Sequence, residues 1–240
     1  TSAAAPSEID DELAAVIVEP LCQAAAGMKM YAPDYLAQLE RLCREHGVLL
    51  IVDEIAMGFG RTGRMFAFEH AGIGADIVCV GKASPAGYLP ISAAIVKDSI
   101  YTTFADTPAD HSFYHGHTFC GNPVAAAAAL EALSVYGEED TPAKAEAMGA
   151  LFRESLGPLA TLPSVHDVRC LGAIAAVELE PESPAPAVPR PHRVRRLLFD
   201  DGILLRPLGN VVYLMPPLVI AENELREPIS KFTAAIRKAG

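Results

Sequence analysis

Apolar positions along this chain fall into two patterns. Short, nearly unbroken apolar runs occur at 14–18, 48–52, 77–80 and 91–96. Such runs suit strands covered on both faces. Between the first two, Leu36, Leu39 and Leu42 recur at helical spacing, with Pro33 placed for a first turn and Gly47 for a stop. The pattern predicts a helix over 33–45 among four strands, which is an α/β layer with at least some parallel strands.

Further along, Ala-rich segments predict helices over 122–135 and 142–156. Two short strands are expected around Gly172, within 165–178. The stretch 181–191 holds five prolines and reads as a loop. A short helix over 193–200, strands over 203–206 and 211–215, and a closing helix over 222–238 complete the pattern. The expected division is a polar tail or linker at 1–12, a first domain at 13–159 and a C-terminal α+β lobe at 160–240.

Composition narrows the function classes. The 240 residues are 51% hydrophobic and 20% charged, with a net charge of −11. Length and apolar content suffice for a sizeable core. No basic run is present to neutralise phosphates, so a nucleic-acid partner is not expected. No apolar stretch has the length of a membrane span, and no leader pattern is visible. The five cysteines are scattered and odd in number, as for free thiols in a reducing cytoplasm. His46, His70, His111, His115, His166 and His192 show no metal-ligand spacing, and His115-Gly116-His117 reads as a loop, so no metal is expected.

Candidate chemistry gathers at the predicted strand ends, where parallel sheets place their sites. Glu19, Asp53, Glu54 and Lys82 all fall there. A lysine leaving a buried strand is held near low dielectric, which favours the neutral amine that attack on a carbonyl needs. The competing interpretation is an ordinary lysine reaching solvent. Asp53 and Glu54 are neighbours, so in a strand they face opposite sides and only one can serve a site. The other would be a structural ion pair or hydrogen-bond acceptor.

The run Ile51-Val52-Asp53-Glu54-Ile55-Ala56-Met57-Gly58-Phe59-Gly60-Arg61-Thr62-Gly63, with its spacing to Lys82, resembles the signature of the class III aminotransferases. Three further segments resemble one branch of that family. They are Glu19-Pro20-Leu21-Cys22-Gln23 running to Tyr31, His115-Gly116-His117-Thr118-Phe119 with Gly121-Asn122-Pro123, and Leu205-Arg206-Pro207-Leu208-Gly209-Asn210 running to Pro217. That branch transfers the amino group of S-adenosylmethionine to 8-amino-7-oxononanoate in biotin biosynthesis.

The resemblance implies a fold-type-I transferase dependent on pyridoxal 5′-phosphate, here a partial large domain plus the C-terminal α+β lobe. It implies that Lys82 carries the cofactor and moves the proton, and that Asp53 holds the ring nitrogen. His117 and Thr118 would meet the cofactor phosphate across a homodimer interface, with Gly116 lining the substrate site there. Arg206 would bind the acceptor's carboxylate, and Arg61 and Tyr213 would wall the pocket. Family chains begin well before Thr1, so part of the pocket is expected outside these residues. The sequence also departs from the family after Lys82, where Pro85 and Ala86 replace small flexible residues. Ala86 does not take a positive φ cheaply, so a displaced loop is expected. The turn after Gln23, Ala24-Ala25-Ala26-Gly27, is likewise poorer in glycine than the family pattern. Two alternatives stay open: a class III aminotransferase with another donor or acceptor, and a non-catalytic remnant.

Overall fold

The structure, a computed structural model, describes residues 12–105, 108 and 112–240. The tail expected over 1–12 lies outside the described residues except for Glu12, and so does His111. The chain divides into two compact units. The first contains Thr1–Leu21, Tyr31–Phe59 and Phe66–Glu139; the second contains Cys22–Met30, Gly60–Met65 and Asp140–Gly240.

The first unit is built on strands β1 (Ala15–Val18), β4 (Leu49–Asp53), β5 (Ile77–Val80) and β6 (Ala93–Val96), in the order β1-β4-β5-β6. The pairs β1–β4 and β4–β5 are parallel, and β6 closes the edge antiparallel. Helix α1 (Pro33–His46) crosses between β1 and β4. Pro33 occupies its first turn, and Gly47 ends it in the left-handed region, donating to the carbonyls of Arg44 and Cys43. The buried stripe Leu36, Leu39 and Cys43 packs on Val48, Leu50 and Val52. Burial of each large apolar side chain contributes about 1.5–3 kcal/mol. Asp76 ties the strand entries together: it accepts from the Leu50 amide at 2.8 Å and the Lys97 amine at 2.7 Å.

Other faces of this unit are open. All four residues of β6 are exposed. Helix α2 (Asp98–Ala105) buries nothing, and helix α3 (Pro123–Glu138) buries only Ala125 and Ala132. Sequence reasoning did not predict α2, although Ile100 and Phe104 stand at helical spacing in it. The loop before α3 exposes Phe113, Tyr114 and Phe119, and α3 itself exposes Val124, Leu130 and Leu133.

The second unit carries a small hairpin of β2 (Cys22–Gln23) and β3 (Lys29–Met30), and a three-stranded antiparallel sheet. The sheet runs β7 (Val165–Leu171), β8 (Ile174–Leu179) and β9 (Val211–Leu214). Its core joins helix α4 (Thr141–Leu156), helix α5 (Arg190–Asp200) and helix α6 (Glu222–Ala239). Phe152 and Leu156 of α4 pack with Val177, Leu198 and Phe232 in one cluster. That packing groups α4 with the residues after it rather than with those before it. Arg169 on β7 donates to the carbonyls of Gly27 and Met28 and pairs with Glu178, which fastens the β2–β3 turn to the sheet.

Two expected elements differ. Residues 203–206 form no strand. Leu205 is buried but Leu204 is 81% exposed, and this apolar run enters none of the ladders of the β7-β8-β9 sheet. Helix α5 begins at Arg190, three residues before the expected start, because Pro191 suits a first turn. Among the described residues no helix is long and apolar enough to cross a membrane, and no metal-holding cluster occurs.

Candidate active site

The parallel register brings the ends of β4 and β5 side by side. Asp53, the last residue of β4, pairs with Cys79 of β5, and Lys82 follows two residues beyond that strand. Between the two exits, the place where a Cβ on Gly81 would stand lies 3.6 Å from the Ile55 side chain. Thus the turns bearing Asp53 and Lys82 adjoin.

Asp53 is half-buried, and its Oδ1 accepts from the Ile55 amide at 3.0 Å. Glu54 faces the other way and is fully buried. Its Oε1 accepts from the Phe68 amide at 2.9 Å, and its Oε2 has no partner. Burial is the first cause that pushes its carboxyl up to about 7; the charges of Glu69 and Asp53 add to this, and amide hydrogen bonds oppose it. Glu54 is therefore the structural hydrogen-bond acceptor of the pair, and Asp53 is the one left partly accessible. Gly58 belongs to this arrangement: a Cβ there would stand 2.9 Å from the Glu54 carbonyl oxygen. Across the ladder, burial and then the Asp53 charge push the Cys79 thiol up, so it stays protonated.

Lys82 is exposed and holds φ +46°, a left-handed conformation rare for a residue with a Cβ. Ala86 also adopts a positive φ, +52°, against the expectation that it would avoid one. The cost is about 1–2 kcal/mol for each such residue. Successive turn bonds hold the loop: the Ser84 amide to Gly81, the Ala86 amide to Ala83 and the Tyr88 amide to Pro85. Similarly, the turn after Gln23 closes with positive φ at Gly27 and Met28.

His117, Thr118 and Gly116 lie exposed on the loop before α3. His117 Nδ1 accepts from the Phe119 amide at 3.1 Å, which leaves the ring proton on Nε2, facing outward as a donor. Asn122 then caps α3, accepting from the Val124 and Ala125 amides.

Arg61, Arg206 and Tyr213 belong to the second unit. Arg61 gives its guanidinium to the carbonyl oxygens of Pro216 at 2.6 Å and Ala173 at 3.5 Å. Arg206 is exposed and enters no ion pair recorded among the described residues. Tyr213 is half-buried on β9. Sequence reasoning did not single out Tyr136 of α3. Its hydroxyl donates to the carbonyl of Ala83, beside Lys82, at 2.5 Å. Nothing in the Ala-rich pattern of α3 marks that residue.

This donor set fits pyridoxal 5′-phosphate. An exposed amine and a half-buried carboxylate stand at adjoining strand exits, which are the groups its aldehyde and its ring nitrogen require.

Comparison with known proteins agrees. The family model for Aminotransferase class-III matches residues 2–236. The adenosylmethionine-8-amino-7-oxononanoate aminotransferase of Nitratidesulfovibrio vulgaris is 42% identical over 231 residues, covering 94% of this chain and 43% of its own. That of Synechococcus elongatus is 41% identical, covering 90% of this chain and 50% of its own. Among solved structures, the ornithine aminotransferase of Toxoplasma gondii superposes with a TM-score of 0.86 at 36% identity, over 96% of this chain and 52% of that one. Its crystals show partial occupancy of pyridoxal phosphate at the active site. The adenosylmethionine-8-amino-7-oxononanoate aminotransferase of Methanocaldococcus jannaschii gives 0.84 at 34% identity, over 93% and 53%. The chain thus spans about half the length of the relatives it matches.

Proposed function

The chain belongs to the class-III aminotransferases, and from that membership we propose that it forms part of an enzyme moving the amino group of S-adenosylmethionine to 8-amino-7-oxononanoate. Its fold is that of the fold-type-I transferases, of which it carries a partial large domain in the first unit and an α+β lobe in the second. The observation that carries the proposal is the pairing of Asp53 and Lys82 at adjoining exits of parallel strands.

When bound, pyridoxal 5′-phosphate supplies a ring that accepts the electron pair released when the amino-bearing carbon loses its proton. Lys82 has two tasks: its amine anchors the cofactor, and its Nζ then carries that proton. The Asp53 carboxylate keeps a proton on the ring nitrogen, as only a stable negative charge beside it can. His117 through its Nε2 proton and Thr118 through its hydroxyl would hold the cofactor phosphate, and Gly116 would leave room for substrate. Arg206, unengaged and exposed, offers a guanidinium fork to the acceptor's carboxylate. Arg61, which donates to the carbonyl oxygens of Pro216 and Ala173, and Tyr213 would form walls of the pocket.

Phe113, Tyr114 and Phe119 flank the 116–118 loop as exposed apolar surface. This supports placing the loop at an interface between two copies, so that each copy completes the other's phosphate site. The five free cysteines suit a reducing cytoplasm.

The test is a visible absorption spectrum on adding pyridoxal 5′-phosphate, with Lys82→Ala alongside. A long-wavelength band in the parent alone, bleached by S-adenosylmethionine, is expected. No band in the folded parent would overturn the assignment. One observation favours a second donor: the Toxoplasma gondii ornithine aminotransferase matches at 36% identity. Bleaching by ornithine but not by S-adenosylmethionine would establish that alternative.

A further inference from the structure

Lys82 differs from the buried strained residues of its unit. Leu21, Phe59, Lys82 and Ala86 are its described non-glycine residues with positive φ, at +63°, +58°, +46° and +52°. Leu21 and Phe59 are buried, so surrounding side chains hold their backbones in place. Lys82 is exposed, and its side chain has no such packing. Its conformation must be held through its neighbours.

The next residue supplies the hold. The Ala83 carbonyl accepts two hydrogen bonds, from the Ala86 amide at 2.9 Å and from the Tyr136 hydroxyl at 2.5 Å. A carbonyl oxygen has two lone pairs, and both are used here. Only the Tyr136 bond comes from outside the loop. Tyr136 is itself placed by packing: its ring lies 5.9 Å from that of Phe59, which meets Phe66 at 5.7 Å. Phe66 stacks on Phe68, whose amide is bound by Glu54. A continuous row of rings therefore runs from the turn that presents Asp53 to the carbonyl beside Lys82.

The geometry points to Tyr136 as a positioning residue for Lys82: its hydroxyl, through the Ala83 carbonyl, fixes the backbone that aims the lysine amine. This rests on the reading of Lys82 as the cofactor lysine. Tyr136 touches neither cofactor nor substrate and does no chemistry.

The experiment follows attachment of pyridoxal 5′-phosphate to individual lysines of the full chain. The lysine amine adds to the aldehyde with loss of water, borohydride delivers hydride to the product, and peptide mass identifies the site. Tyr136→Phe keeps the ring and removes only the donor. Lys82 should then be labelled about tenfold more slowly, a barrier increase of ~1.4 kcal/mol. Lys97 and Lys144 should be labelled at unchanged rates, which a merely structural loss would not produce selectively. Lys82 labelling at the parent rate would overturn the inference. A second variant guards against misfolding: a fluorinated tyrosine at 136, which keeps ring and donor but ionises within the assay range. Its Lys82 labelling should match the parent at low pH and fall as the phenol ionises; a profile identical to the parent's would also overturn the inference. Absence of Lys82 labelling in the parent itself would instead overturn the cofactor assignment, and this inference with it.

Discussion

Replacing Glu54 by Gln should make the protein more stable at alkaline pH than the parent. The carboxyl is fully buried, and its folded-state value lies at about 7 against an ordinary 4.5. Burial dominates this rise. The folded state therefore holds a proton at pH values where the unfolded chain has released it. Between these two values the native state binds more protons than the unfolded state, so stability falls as pH rises through the window. At ~1.4 kcal/mol per pH unit, moving the carboxyl from 4.5 to about 7 amounts to about 3 kcal/mol lost once pH exceeds the upper value. Gln stays neutral throughout. Its carbonyl can still accept from the Phe68 amide, and its NH2 takes the place of Oε2, which has no partner to lose. Urea unfolding followed by far-UV circular dichroism suits a chain without tryptophan. From about pH 5 to about pH 8 the parent should lose roughly 2–3 kcal/mol relative to the variant. Contributions from other groups, such as Asp76 held low by Leu50 and Lys97, cancel in that difference. Parallel pH profiles for the two proteins would refute the reasoning.

Two further outcomes are expected. Gly172 holds φ +49°, and a Cβ there would stand 2.5 Å from the Arg61 carbonyl oxygen, a backbone atom that cannot swing away. Gly172→Ala should cost about 3–5 kcal/mol from strain and overpacking together, and an unfolding midpoint shifted by less than about 1 kcal/mol would contradict the close approach. Arg206→Ala should raise KM for the keto-acid acceptor by roughly thirtyfold, about 2 kcal/mol for a lost charge-assisted pair, and an unchanged KM in a steady-state assay would remove Arg206 from the site.

The parallel layer was legible because its signals are local. Pro33 and Gly47 bracket α1, and the runs ending at Asp53 and Val80 carry their own β-branched pattern. Parity alone said that Asp53 and Glu54 face opposite ways. Which one is buried depends on α1, on the 3-10 turn at Ala67–Ala71 and on the register with β5, none of which is local to the pair. The apolar run at 203–206 misled because apolarity alone does not make a strand; pairing in a ladder does, and this run enters none. Grouping of 22–30 and 60–65 with the C-terminal residues arises from Arg169 and from the Arg61–Ala173 bonds, which span over a hundred positions. Tyr136 lay hidden for the same reason: its hydrogen bond to Ala83 spans over fifty positions, with no periodicity to reveal it.

The placement of backbone strain gives an independent argument for where the chemistry lies. In the first unit, every described non-glycine residue with positive φ sits in a turn leaving the carboxyl end of a parallel strand: Leu21 after β1, Phe59 after β4, and Lys82 and Ala86 after β5. Among the described residues the opposite rim shows Gly47 and Gly72 in that region, where the missing Cβ makes the conformation inexpensive. Turns at the two rims face the same steric rules, so chain reversal alone does not account for the asymmetry. Strain of about 1–3 kcal/mol per residue persists only where surrounding structure imposes it. Here it is imposed beside Asp53 and at Lys82 itself, on the rim where an α/β sheet binds its ligand. The buried pair, Leu21 and Phe59, is fixed by packing and shapes the turns. Lys82 must leave its side chain exposed, so its conformation is borne by the Ala83 carbonyl and the tyrosine that reaches it.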